Sequence, residues 1–148
     1  MKSIAEKLAK KYNMPSADYR TLIQFLKKDQ IIGDSILPVY KSHLTEIENI
    51  IRKRHLVTLP NRPAIIKIAT AAETAQQPAP HMDPPPFLNN TGQRGVFVLP
   101  LNMPPAAGEK TDKYDDFTFD AASWTIIAHE VRPGHEMQFD KMVEEGVS

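Results

Sequence analysis

The chain has 148 residues, no cysteine, and 18 basic residues against 18 acidic ones. The length suits one domain of ordinary size, and the lack of cysteine excludes disulfide staples and thiolate metal sites, so any metal must be held by histidine and carboxylate. The charge is balanced in sum but not in place: residues 1–60 carry 11 Lys/Arg against 6 Asp/Glu, and residues 61–148 carry 7 against 12. This reads as solvated helical surfaces beside an acidic loop, because a nucleic-acid surface wants a denser basic patch with aromatics among it.

The first segment, "MKSIAEKLAKKYN", predicts a short helix over 3–13 with Ile4, Leu8 and Tyr12 on one stripe. It is charged throughout, so it is not a secretory signal; if Met1 is the true N-terminus, a cytoplasmic location is expected. Ser16 is placed to cap a second helix over about 17–29, with Tyr19, Leu22, Ile23 and Leu26 as its apolar face. A third helix is predicted from Ile36 or Pro38 to His55. Ile36, Tyr40, Leu44, Ile47 and Ile51 recur at spacings of three and four, Pro38 is tolerated only in the first turn, and "RKRH" meets the negative end of the helix dipole. His43 lies beside the core stripe, and His55 closes the helix as a cation.

"LPNRP" breaks the helical pattern, and "AIIKIA" over 64–69 is short and β-branched, as a strand should be. From Thr70 to Asp116 the chain is mostly punctuation, and eight of its 13 prolines lie between Pro78 and Pro105. Consecutive prolines favour a stiff, extended path. His81 sits in this region, placed to contact a substrate, and one further strand candidate is "GVFVLP" at 95–100. No apolar run is long enough to span a membrane.

The last segment carries the chemistry. Asp120 is a good N-cap, with Phe119 placed to staple onto Trp124. The helix is predicted over Ala121 to Arg132 with Trp124, Ile127, Ala128 and Val131 inward, and a second one over His135 to Glu145. Between them stands "HEVRPGH". Two histidines six apart on a straight helix differ by roughly 240° and about 9 Å along the axis, so they cannot share one ion. Pro133 removes the N–H that would bond back to residue 129, and Gly134 accepts backbone angles closed to other residues. The helix is therefore expected to bulge or restart here, swinging His135 back towards His129. Two imidazoles suit zinc, and Glu130 is placed to take a proton from a zinc-bound water, which is the chemistry of amide or peptide hydrolysis. Arg132 is left free to pair with an acidic neighbour.

"AHEVRPGHEMQ" resembles the signature H-E-x-x-P-G-H-x-x-Q of a bacterial family known as domain of unknown function 885. "APHMDPPPFLNNTGQRGVFVLPLN" is similar to that family's Pro- and Gly-rich approach to its edge strand, and the resemblance covers about residues 35–148. It implies a zinc-dependent peptidase of gluzincin type, with His129 and His135 as ligands, Glu130 as base, and Gln138 orienting the second histidine or the substrate. It also implies a mainly α fold with a small β component. The expected order is a helical, bundle-like part over 1–60, short strands and Pro-rich loops over 61–117, and the interrupted metal helices over 118–148. The strand at 95–100 would be the edge on which an extended substrate backbone pairs.

In such a site the third ligand is a glutamate on a later helix. Glu144 and Glu145 share the helix of His135 and stand roughly 13–15 Å along its axis, too far to serve. The expectation is thus a single partial domain, the front piece of a longer catalytic domain whose later part completes the site. The alternative is a truncated, non-catalytic helical module that binds a partner through an exposed apolar face. Expected partners are a peptide or amide substrate, with no nucleic acid and no membrane span.

Overall fold

The structure, a computed structural model, describes residues 2–101 and 115–146, and the expected proline-rich loop over 102–114 lies outside the described residues. Helices α1 (Lys2–Lys11), α2 (Tyr19–Leu26) and α3 (Ile36–Arg54) lead into strand β1 (Ile65–Ile68), helix α4 (Ala71–Gln76) and strands β2 (His81–Asp83) and β3 (Val96–Leu99). Helices α5 (Asp120–Glu130) and α6 (His135–Glu145) follow. The fold is mainly α with a small β component, as the sequence predicts. Among the described residues no helix is long and apolar enough to cross a membrane.

The core is built on α3. All five residues of its predicted stripe, Ile36, Tyr40, Leu44, Ile47 and Ile51, are buried, and they meet Ile66, Phe97, Leu99, Ile127 and Val131. Tyr40 lies against Phe97, with ring centres 6.2 Å apart, and its hydroxyl donates to the carbonyl of Phe117. That burial pushes the phenol well above its ordinary pKa. The helix ends as its basic tail suggests: His55 takes the left-handed C-cap conformation, at φ 51°.

The N-terminal helices depart from the sequence reading. They do not form one bundle: α1 packs mainly on α2, whereas α3 packs on α5 and β1. The buried face of α1 is Ala5 and Ala9, while Ile4 is 61% exposed. Small side chains let α2 approach closely, and Tyr12 then meets Phe25 with ring centres 5.5 Å apart. Asp18, not Ser16, caps α2: its carboxylate accepts from the N–H of Thr21 at 2.9 Å. Lys27, just past α2, pairs with Asp115 and Asp116 at 2.7 Å each, and a bridge between Gln30 and Phe119 ties the same region to the start of α5. That bridge holds Phe119 extended, so Phe119 is the N-cap and Asp120 opens the helix rather than capping it.

The sheet has the order β1-β3-β2, with β1 parallel and β2 antiparallel to β3. This corrects the expected edge role of the strand at 95–100. Phe97, Val98 and Leu99 are all buried, and such a continuous apolar run belongs to a strand covered on both faces, not to a free edge. The outer positions belong to β1 and β2. Both β2 and α4 fall in the stretch read as punctuation. Helix α4 carries a full capping box, in which Thr70 accepts from the N–H of Glu73 and the Glu73 carboxylate accepts from that of Thr70. Hydrogen bonding to Lys67, together with this box, lowers the Glu73 pKa to about 2.

Candidate metal centre

Helix α5 is held against α3 by a polar contact at its first turn and an apolar one further on. His43 shares a hydrogen bond with Ser123 at 2.8 Å, stands 3.3 Å from Asp120, and stacks on Trp124 at 4.7 Å. Ile127 and Val131 are fully buried below. The following turn therefore starts from a fixed point.

The helix stops at Glu130. Val131 takes φ −105°, ψ −88°, and the N–H groups of both Val131 and Arg132 donate to the carbonyl of Ile127, at 2.8 and 3.1 Å. The Arg132–Pro133 peptide is cis, and α6 restarts at His135. The chain thus breaks and restarts, one of the two expected routes. Gly134 sits at φ −79°, ψ −142°, which is not a left-handed angle. Space requires glycine here. A Cβ at Gly134 would lie 2.7 Å from the carbonyl oxygen of Ala128 and nearer still to the carbonyl of His129, and real Cβ atoms essentially never come within 3.0 Å.

This close approach folds α6 back on the end of α5. The rings of His129 and His135 come to 4.9 Å between centres, nearly perpendicular at 81°. His135 is backed by Phe139, parallel at 5.9 Å, and Phe139 meets Phe87 edge-on at 5.7 Å. The proline-rich loop therefore reaches the site through Phe87. Glu130 is only 8% exposed, with its carboxylate 3.7 Å from Nε2 of His129, whose own side chain is open to solvent. Two imidazoles and a carboxylate thus gather at one helix break.

The other expected residues are placed differently. Gln138 is exposed on α6, and among the described residues its amide makes no hydrogen bond to His135. His81 turns back on its own strand, with Nδ1 at 2.8 Å from the carbonyl of Ala79 and Nε2 at 3.4 Å from Asp83. Glu144 and Glu145 face Lys141, at 3.8 and 3.0 Å. Among the described residues, no group of three or more His, Asp or Glu side chains is arranged to hold a metal ion.

Beneath the break lies a cluster of which the sequence suggested only an acidic partner for Arg132. Arg132 is 2% exposed and Glu136 1%. The guanidinium donates from Nε and Nη2 to the two Glu136 oxygens at 2.8 and 3.1 Å, a bidentate pair across the Pro-Gly break. Nη1 donates to Glu48 of α3 at 2.5 Å, and Nη2 also reaches the carbonyl of Arg62. Burial opposes the charge on Arg132, but its bonds to Glu136 and Glu48 outweigh it and hold its pKa above the ordinary value. For Glu136 burial wins over the pull of Arg132, and the carboxyl is raised. Asp140 is buried 4.0 Å from Arg132, with neither oxygen hydrogen-bonded among the described residues, and burial raises it too. The spacing of Arg132 and Glu136 was visible, but Glu48 is 84 residues away and only the fold brings it in.

A mainly helical scaffold with a small sheet, presenting histidines and a carboxylate at a broken helix, is the class of protein that fold and site define. The chain belongs to the family described as bacterial protein of unknown function (DUF885), whose family model matches residues 1–148, a wider span than the 35–148 of the sequence resemblance. Neither the curated proteins nor the solved structures searched contain a match.

Proposed function

We propose that this chain contributes the paired-histidine part of a zinc-dependent hydrolase acting on amide or peptide bonds. His129 and His135 would hold the ion, and Glu130 would serve as the base. The observation that carries the reading is the approach of the two imidazoles at the Pro-Gly break. Two histidines on one tetrahedral zinc, with Zn–N near 2.0–2.1 Å, have ring centres about 5 Å apart, and those of His129 and His135 are 4.9 Å apart. The donor set also suits the ion, since neutral imidazole is a common zinc ligand. Among the described residues no third ligand joins the two histidines.

When bound, zinc supplies Lewis acidity and lowers the pKa of a coordinated water towards neutrality. The rest falls to the side chains. Glu130 stands beside His129 in a half-closed position, able to accept a proton and pass it to a leaving amine. Phe139 backs the His135 ring and is itself met by Phe87. An extended substrate would find its backbone partners at the outer edge of β2, the strand next to the loop that carries Phe87. Gln138, exposed one turn along α6, would contact the substrate.

Calorimetric titration with zinc tests this. Binding is expected in the wild type and reduced at least about tenfold in His129→Ala and His135→Ala, since each removes one of few ligands. Glu130→Gln should keep the metal and lose hydrolysis of a peptide library by the complete protein. Identical zinc isotherms in wild type and both histidine variants would overturn the metal assignment, and full activity of Glu130→Gln would remove it from the base role.

A further inference from the structure

We propose a second binding site, for a small organic anion bearing carboxylate on a short aliphatic body, in the cleft between α3 and the turn at residues 60–64. The cleft has a volume of about 450 Å³. It is independent of the metal, and the zinc reading does not enter the argument.

The lining is rich in basic residues. Lys41, Arg52, Arg62 and Arg132 line the cleft against a single carboxylate, Glu48. That carboxylate is already engaged on both oxygens, by Arg132 at 2.5 Å and by Arg52 at 3.0 Å. Lys41 is exposed, and among the described residues its ammonium has no partner. Among the described residues Asn61 on the facing turn is likewise without a side-chain hydrogen bond, and the Arg62 guanidinium makes one, a long one of 3.5 Å to the Gln93 carbonyl, while its charge also acts on Asp140. These residues line the same cleft from two sides.

The buried end of the cleft is preorganised. A guanidinium has five N–H groups, and Arg132 uses four: Nε to Glu136, one on Nη1 to Glu48, and two on Nη2 to Glu136 and the Arg62 carbonyl. Among the described residues one N–H on Nη1 has no partner, on a side chain that is 2% exposed and locked by its other bonds. A fixed donor of this kind binds an anion without the cost of first ordering it. Beside it, Leu44, Ala64 and Ile66 form an apolar wall. Cations on one side and aliphatic carbon on the other match a short-chain carboxylate better than a bare inorganic anion, which has no use for the wall. The volume suits a ligand of a few to a dozen or so non-hydrogen atoms, at the small end of ordinary ligand pockets.

Calorimetric titration of the full chain with succinate, at low ionic strength and without metal, tests the site. Saturable binding is expected, weakened severalfold at about 0.15 M salt because the contacts are electrostatic and partly exposed. Lys41→Met and Arg62→Met should each weaken it about tenfold or more, while His129→Ala leaves it unchanged. Lys41 is exposed, so its substitution leaves the fold intact, which far-ultraviolet circular dichroism verifies. Neutral succinamide should not bind. Absence of saturable succinate binding, equal affinity in Lys41→Met, or binding of inorganic phosphate with none of succinate would each overturn the proposal.

Discussion

Substituting Gly134 by alanine tests the central structural argument, that the histidines meet because the chain passes directly over the carbonyls ending α5. The added methyl would sit 2.7 Å from the Ala128 oxygen and closer to the His129 carbonyl, so even the milder of the two conflicts requires a shift of at least 0.3 Å to reach 3.0 Å. The atoms in the way are backbone, locked by the hydrogen bonds of α5, and cannot rotate aside as a side chain would. Overpacking of a well-packed site costs about 1–3 kcal/mol, and this case belongs at the upper end. A loss of about 3 kcal/mol is roughly a hundredfold change in the folded-to-unfolded ratio. With a urea dependence near 2 kcal/mol per molar, the midpoint should fall by about 1.5 M. The single tryptophan, Trp124, sits in α5 against His43 and reports the transition by fluorescence. Zinc titration of the folded variant gives an independent readout, and affinity should drop because α6 can no longer bring His135 to 4.9 Å from His129. An unchanged midpoint together with unchanged zinc affinity would refute the reasoning.

The buried cluster yields two further expectations. Arg132→Met strands the buried Glu136 carboxylate and leaves Glu48 to Arg52 alone, and the loss should be about 3–5 kcal/mol; Arg132→Lys should restore little, since one ammonium cannot span the same oxygens. A change within about 0.5 kcal/mol of wild type for Arg132→Met, the range of an ordinary surface substitution, would show that the cluster does not hold the break together. Asp140→Asn should act in the opposite direction. Burial raises the Asp140 pKa in the folded state. The unfolded chain therefore releases this proton first as pH rises, and the stability that the proton lends is lost as pH climbs past the ordinary carboxylate value. Removing the charge should stabilise the protein at pH 7 by about 1 kcal/mol and flatten the decline in stability from acid to neutral pH. A denaturation series across that range, with wild type and variant falling in parallel, would count against it.

Much of the frame was legible in the chain itself. The α3 stripe, the two apolar strands and the break at Pro133-Gly134 all follow from short-range rules: helical period, β-branching, and a proline without an N–H. Helix α4 was legible too, in the Thr70-to-Glu73 capping box, though its proline-rich setting hid it. Strand β2 was not, because three residues flanked by prolines carry no period. The tertiary structure alone decided three matters. It put β3 in the middle of the sheet, since strand neighbours are chosen by packing and not by local pattern. It gave Gly134 its reason, a carbonyl five residues back that no spacing rule reveals. It also drew Glu48 under Arg132 from 84 residues away, because a buried guanidinium must find carboxylates wherever the fold supplies them.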